Sequence, residues 1–135
     1  MRLLNLAAIT AAASGVSDLL KLNGAPRNLT VQGNFTYGSG GTSADVYLQT
    51  SLDGAQTWID IANFHFTTSS AIRLYNLFAG TPKTTAVTPT DGSLTANTAV
   101  DGILGPIFRC RYVTVGAYAD GSSFTIDIAT DQLAS

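Results

Sequence analysis

The strongest pattern along the chain is an alternation of apolar and polar residues with a period of two. Between residues 29 and 37 every second residue is apolar or glycine, and the residues between them are Thr, Gln and Asn. Such alternation places the apolar side chains on one face of a β-strand. A second alternating run covers residues 44–50, and the glycine-rich segment 38–41 separates the two. We therefore predict two strands joined as a hairpin.

A second hairpin is predicted directly after the first. The segment before the apolar stretch 58–66 contains Asp53 and Gly54. An Asp-Gly pair is a strong turn signal because a type I′ turn needs positive φ at both central residues. Within the stretch the apolar alternation changes phase, which one extra residue in the strand would explain. We therefore predict a β-bulge near Ala62 or Asn63.

Other parts of the chain show shorter runs that also favour strands. Near the C-terminus an Asp-Gly pair at 120–121 separates two apolar runs, which we interpret as a C-terminal hairpin. The further predicted strands cover residues 3–10, 16–22, 71–77, 107–118 and 124–129.

The segment 78–105 is rich in Thr, Ala, Gly and Pro and shows no clear periodicity. A loop of this length is uncommon inside a compact domain unless it has a function or short strands of its own. We expect short strands at 84–88 and 94–98, together with a surface that contacts a partner.

These elements indicate one all-β domain. A chain of 135 residues has the ordinary size of a single domain, so we take residues 1–135 as one unit. We expect about eight to ten short strands, with little or no helix, in an antiparallel β-sandwich or a jelly-roll-like arrangement.

The composition favours the same class and narrows the partners. Glu is absent, Lys is rare, and Thr, Ala, Gly and Ser are abundant, which suits strands better than helices. The formal net charge is −2 and the arginines are scattered along the chain. A nucleic-acid surface needs clustered cations, so we expect no nucleic-acid partner.

The N-terminal run, residues 1–14, resembles a short signal peptide: it has Arg2, an apolar stretch and small residues at 11–14. It is too short and too interrupted to span a bilayer, and we expect no membrane partner. We expect the run to be retained in the protein. Residues 1–15 then form either an edge strand or an arm that lies on a neighbouring molecule.

The residue types that carry catalysis are scarce. His65 is the single histidine and lies between two phenylalanines, so we expect a surface or interface position rather than a catalytic base. Cys110 is the single cysteine and is expected to be buried. The nucleophile-elbow, phosphate-loop, zinc and EF-hand patterns do not occur. We therefore predict no enzymatic activity, no metal and no cofactor.

Residues 51–58, Ser-Leu-Asp-Gly-Ala-Gln-Thr-Trp, resemble the Asp-box hairpin of sialidases and other carbohydrate-active propellers, Ser-x-Asp-x-Gly-x-Thr-Trp. The chain departs from the motif at Ala55, carries it once, and is far too short for a propeller. The resemblance therefore implies local geometry and no sialidase activity. We expect the Asp53 side chain to cap the turn amides and Trp58 to pack beneath the turn.

A wider resemblance covers residues 29–130. The hairpin just described, Asp60 to Phe64 after it, and the Asp-Gly-x-Leu-Gly-Pro segment at 101–106 leading into 108–112 are similar to small β-sandwich virion proteins of tailed bacteriophages. The resemblance implies a structural protein that decorates or cements the outside of the head, or a subunit of the neck or tail.

We therefore expect a virion protein present in many copies or as a homo-oligomer, on the capsid surface rather than at the neck or tail. Its partner is expected to be the major capsid protein or another virion protein, bound through strand edges, the N-terminal segment and residues 78–105. Residues 61–90 contain cations and no acidic residue, which suits a carboxylate-rich partner. The candidate contact residues are Arg2, Leu3, Leu4, Arg73 and Lys83.

An alternative from another class is a carbohydrate-binding module. Such a module stacks sugars on exposed aromatic rings, and Tyr47 and Tyr75 are the candidates for this role. The competing structural interpretation of each is a packing partner across strands.

Overall fold

A computed structural model describes residues 1–6, 9 and 12–135. These residues form eleven strands and no helix, so the predicted all-β fold with sandwich-like antiparallel sheets is confirmed. The strands are β1 (Arg2–Leu6), β2 (Ser14–Val16), β3 (Leu20–Lys21), β4 (Asn28–Thr36), β5 (Ser39–Gly40), β6 (Ser43–Ser51), β7 (Ile59–Phe66), β8 (Ala71–Phe78), β9 (Ile107–Val115), β10 (Tyr118–Ala119) and β11 (Ser123–Thr130).

Two antiparallel sheets face each other. The first sheet has the order β1-β11-β4-β8, and the second has the order β2-β9-β6-β7, with β3 also paired to β9. The short strands β5 and β10 pair with each other. The last long strand, β11, therefore lies inside the first sheet, between the N-terminal strand and β4.

The core fills the space between the two sheets because the apolar sides of their strands face each other. The Phe35 ring of the first sheet stacks on Phe66 of the second, with ring centroids 5.1 Å apart. The Phe64 ring lies over Gly33, where a Cβ atom would come within 2.6 Å of Phe64 Cδ1. Gly33 is therefore required by the packing of the aromatic ring and not by its backbone conformation.

Two predicted hairpins are wrong, although the strands that they join are correct. The strands β4 and β6 belong to different sheets, and so do β9 and β11. The connection from β4 to β6 crosses from one sheet to the other, with Gly40 and Gly41 at positive φ. A crossing of this kind needs the same inward alternation on both strands as a hairpin does, so the sequence pattern does not separate the two.

The hairpin of β6 and β7 is confirmed, and so is its bulge. Leu48 lies opposite Ala62, whereas Gln49 lies opposite Asp60, so Ile61 is the extra residue. The turn differs from the predicted type, because Gly54 and Ala55, not Asp53 and Gly54, have positive φ.

The N-terminal third departs from the predicted strands in length. The expected strand 3–10 is described as β1 over residues 2–6, and positions 7, 8, 10 and 11 lie outside the described residues. The expected strand 16–22 is instead two short strands, β2 and β3, which lie along the same neighbour, β9.

Candidate partner-contact surfaces

Strand β8 presents an unpaired backbone edge. Its register with β4, together with the hydrogen bond from the Ala79 amide to the Arg27 carbonyl, shows which residues exchange bonds with β4. These are the odd-numbered residues of β8, because hydrogen-bonded pairs alternate in an antiparallel ladder. The amides and carbonyls of Ile72, Leu74 and Asn76 consequently point away from the sheet. No strand among the described residues pairs with this edge.

The same residues expose apolar side chains. Ile72 and Leu74 are each 58% exposed on the outer face of the first sheet. Leu74 also lines a shallow depression on that face, beside Gln32 and Ala129. An open backbone edge next to exposed aliphatic side chains is a site where another strand can add.

Strand β7, the edge of the second sheet, is covered by contrast. The segment 90–100 runs along it, with the Asn63 amide bonded to the Thr98 carbonyl and the Val100 amide bonded to the Ile61 carbonyl. This segment contains the isolated bridge of Ala99 to Ala62. The two edge strands β7 and β8 therefore differ in their availability to a partner.

A buried carboxylate holds the covering segment in place. Asp60 is 2% exposed. Its oxygens accept hydrogen bonds from the Thr90 hydroxyl at 2.9 Å and from the backbone amides of Gly92, Ser93 and Leu94 at 2.9 to 3.2 Å. The Gln49 side-chain amide donates to the same carboxylate at 2.8 Å. Asp60 is thus a clamp between the second sheet and one end of the long segment.

A second carboxylate, that of Asp101, holds the start of the long segment, directly after β8. Asp101 accepts hydrogen bonds from the Phe78 amide and, at 2.9 Å, from the Thr81 hydroxyl. The bond from the Phe78 amide holds the pKa of Asp101 below its usual value. Because that amide belongs to the outward edge of β8, the Asp101 carboxylate occupies the end of the open edge.

Between the two clamps the chain is fully exposed. Residues 80–89 are all exposed and contain no strand, so the predicted strand 84–88 is wrong for the isolated chain. The predicted strand 94–98 is also wrong, because these residues form turns and side-chain contacts along β7. Strand propensity is present at 84–88, but no edge of the same chain reaches it to form hydrogen bonds.

The Asp53 side chain caps the turn between β6 and β7, as expected from the sequence. Asp53 accepts hydrogen bonds from the Ser51 hydroxyl and from the amides of Gln56 and Thr57. The Thr57 bonds are the main cause that lowers the pKa of Asp53 to about 2. Trp58 is almost fully buried, and the Arg109 guanidinium lies 4.2 Å from the centroid of its ring.

A polar face surrounds Tyr47 on the outside of the second sheet. Tyr47 lies between Asn63 of β7 and Arg111 of β9. The Asp45 carboxylate, two residues earlier on β6, accepts a hydrogen bond from the side-chain amide of Asn63 at 3.2 Å. It also lies 2.9 Å from His65 Nδ1. Tyr47 is partly buried, and this burial is the main cause that raises the pKa of its hydroxyl.

Tyr75, the other candidate aromatic residue, is committed to the fold. Its hydroxyl donates to the Asn63 carbonyl at 2.8 Å, and its ring centroid lies 5.0 Å from that of Phe64. Tyr75 is therefore a packing residue between the sheets.

The five candidate contact residues are divided between two parts of the structure. Arg2, Leu3 and Leu4 belong to β1, where Arg2 forms an ion pair with Asp127 at 3.0 Å. Leu4 is 6% exposed and Leu3 packs against the core, so a partner reaches either residue only if β1 leaves β11.

Arg73 and Lys83 are exposed and lie beside the open edge and on the exposed segment, respectively. The Arg73 guanidinium lies over the Phe66 ring, 5.2 Å from its centroid. No ion pair joins either cation to a carboxylate within the described ranges. Both cations are exposed, and each has a neighbour in its own chain: Arg73 has the Phe66 ring, and Lys83 has the Asp101 carboxyl, whose pKa its charge helps to lower.

The structure offers little catalytic chemistry. Cys110 is fully buried, as expected, and burial raises the pKa of its thiol. His65 and Asp45 form the only pair of a histidine with a carboxylate in the described part of the chain, and no third such side chain joins them to hold a metal ion. None of the described residues forms a helix that could cross a membrane.

Sequence reasoning missed Asp60 and the open edge of β8. Asp60 lies in an otherwise apolar stretch, Trp58 to Phe64, and a lone carboxylate among buried strand residues signals a bonded role. For the open edge of β8 the signal in the sequence was the pair of apolar residues Ile72 and Leu74, which share one face of the strand and precede a segment without periodicity.

Comparisons with protein-family models, with curated proteins and with solved structures find no match to this chain.

Proposed function

We propose that the protein is a non-enzymatic structural subunit of a virion, a decoration or cement protein that binds the outer surface of a capsid shell. The observation that carries the proposal is the open edge of β8, with its unpaired backbone groups and the exposed side chains of Ile72 and Leu74. Its partner is the major capsid protein or another virion protein. Strand edges of this kind bind protein rather than small molecules.

The charges beside this edge support a protein partner with exposed carboxylates. Arg73 and Lys83 are exposed cations, and residues 61–90 contain no acidic residue. Opposite charges at the rim of an interface raise the association rate and fix its orientation. Weaker binding at higher salt concentration is therefore expected.

The direct test is to image the intact particle from which the chain derives, at a resolution that traces the backbone and counts its copies. Copies in proportion to the capsid subunits, with β8 at the contact, would support a decoration protein. A single ring at one vertex would move the protein to the neck or tail, and its absence from every particle would refute a virion role.

The contact itself is tested with two variants of matched charge. Leu74→Lys places a charge on the open edge, whereas Leu133→Lys changes an exposed residue that is outside the two sheets. We expect the first variant to lose binding to particles lacking the protein and the second to bind like the unchanged chain. Equal binding by both variants would exclude the β8 edge as the contact.

A second candidate function is supported by the Tyr47 face. A partly exposed ring among Asp45, His65, Asn63 and Arg111 combines a stacking surface with the hydrogen-bonding groups that recognise sugar hydroxyls. A glycan array distinguishes this function. Binding that Tyr47→Ala abolishes and Tyr47→Phe retains would favour a carbohydrate-binding module, and no binding to any glycan would exclude it.

A further inference from the structure

We propose that the protein associates with itself by strand addition: residues 83–87 of one copy add, antiparallel, to the open edge of β8 in a second copy. The chain contains both halves of such a contact. One half is the edge at Ile72, Leu74 and Asn76, and the other is the exposed segment between the Asp101 and Asp60 clamps. This inference concerns the same edge as the virion proposal, but it does not require a virion role.

The exposed segment has the properties of a strand without a partner. Residues 84–88 are Thr, Thr, Ala, Val and Thr. Four of these five are β-branched, and β-branched residues favour strands. Pro82 and Pro89 flank the segment and keep it out of helices. No hydrogen bond in the described part of the chain uses the backbone of residues 82–89.

Pairing within one chain is blocked at the point where it would begin. A hairpin between β8 and the exposed segment would form first next to Phe78, at the end of the strand. The outward amide of Phe78 is already bonded to Asp101, which also holds the Thr81 hydroxyl. The other end of the segment is held at the second sheet by Asp60. Pairing with a second copy need not begin next to Phe78 and can use residues 72–76 of the edge alone.

Apolar contact selects the register. Val87 is 40% exposed, and the two apolar residues on the open edge are Ile72 and Leu74. An antiparallel register that pairs Val87 with Ile72 also pairs Thr85 with Leu74 and Lys83 with Asn76. Each of these donor residues has a backbone N–H. A shift by two residues in one direction would bring Pro89 opposite Ile72 and lose one bond, and a shift in the other direction would move Val87 past Ile72.

Charge selects the direction of the added strand. In the antiparallel direction Lys83 of one copy lies at the end of β8 that carries Asp101 of the other. In the parallel direction Lys83 would lie near residue 72, beside Arg73, where charges of the same sign would meet. The antiparallel arrangement therefore avoids this contact between charges of the same sign.

The contact joins two different surfaces, so in a pair the copy that donates its segment keeps a free edge, and the copy that accepts it keeps a free segment. Such heterologous contacts close into rings when the rotation allows it and otherwise continue as chains. A symmetric pairing of two β8 edges would instead bring the Arg73 side chains of both copies together.

Pairs of cysteine variants test the contact directly. Thr85→Cys and Leu74→Cys are made as separate proteins, since the native Cys110 is fully buried. Residues opposite each other in a hydrogen-bonded pair have Cα atoms about 5.5 Å apart, which a disulfide can bridge. We expect a disulfide-linked heterodimer when the two are mixed under mild oxidation and little linkage in either protein alone. Linkage of Leu74→Cys to itself, or no linkage in the mixture, would refute the proposal.

A double variant, Leu74→Cys with Thr85→Cys, separates pairing between chains from pairing within one chain. Linked oligomers are expected; a disulfide-closed monomer would show that the segment folds back on its own β8 and would overturn the inference.

Sedimentation velocity of the full chain gives the second measurement. We expect self-association that Thr85→Pro weakens by about tenfold or more through loss of a backbone donor, with Thr85→Val as the control that retains it. Both changes lie on an exposed residue, and unchanged thermal unfolding confirms the fold. A monomer at every concentration, or association that Thr85→Pro leaves intact, would refute the proposal.

Discussion

Replacing Asp60 by alanine is the sharpest test of how the long segment is held. The change removes the acceptor of five donor groups, four of them on the segment and one on the buried side chain of Gln49. The donors on the segment can turn to water if it detaches, whereas the Gln49 amide stays buried. Hydrogen bonds to a charged group contribute about 1.5–3 kcal/mol each, and contributions within one network are not additive, so losing this set is expected to cost about 3–5 kcal/mol. This is a large share of the roughly 5–15 kcal/mol that stabilises a typical domain.

The assay combines urea unfolding with hydrogen exchange of individual amides. The free energy of unfolding should fall by about 3–5 kcal/mol, and the amides of residues 92–94 should exchange faster than those of β6. Asp60→Asn should be intermediate, because its amide nitrogen would face a donor on Gln49. The control is Asp18→Ala, an exposed carboxylate whose loss should change stability by less than about 0.5 kcal/mol. A loss below about 1 kcal/mol with full protection at 92–94 would refute the clamp.

Three further predictions concern the turn, the core and the thiol. The folded pKa of Asp53, about 2, lies below the usual value of 3.8, so its stabilising contribution is complete above that value and lost as the pH falls towards 2. Asp53→Asn should therefore unfold at lower urea concentration than the unchanged chain at pH 7, with the difference shrinking at pH 2; a constant difference would contradict this. Gly33→Ala should cost about 1–3 kcal/mol because its Cβ meets the Phe64 ring, whereas Gly24→Ala should be nearly neutral in the same unfolding assay. Cys110 should react with a thiol reagent only after unfolding, since burial raises its pKa, and rapid labelling of the folded protein would contradict the buried position.

Local features could be predicted from the sequence because their partners are close along the chain. The contacts of Asp53 all lie within four residues, and the bulge in β7 follows from the phase of neighbouring apolar residues. The long strands β4, β6 and β11 were predicted for the same reason.

Pairings between distant residues could not be predicted in this way. A hairpin and a crossing between sheets leave the same alternation on their strands, so the connection from β4 to β6 was assigned wrongly. The donors on the long segment lie thirty or more residues from Asp60, and no local pattern connects them. Residues 84–88 have the residue types of a strand, but within the chain no edge pairs with them, and the pattern alone does not show this.

The position of β11 in the first sheet governs when the protein can fold during synthesis. The strand lies between β1 and β4, and the N-terminal amino group bonds to the Ile128 carbonyl near the opposite terminus. A ribosome that has yet to release residues 123–130 therefore carries a chain whose first sheet lacks its middle. Before that point the pairs β6–β7, β4–β8 and β6–β9 have all their strands, but β1 and β4 lack the strand that joins them. Completion of the first sheet therefore waits for β11, and the apolar faces of β1 and β4 are the part of the nascent chain most exposed to aggregation.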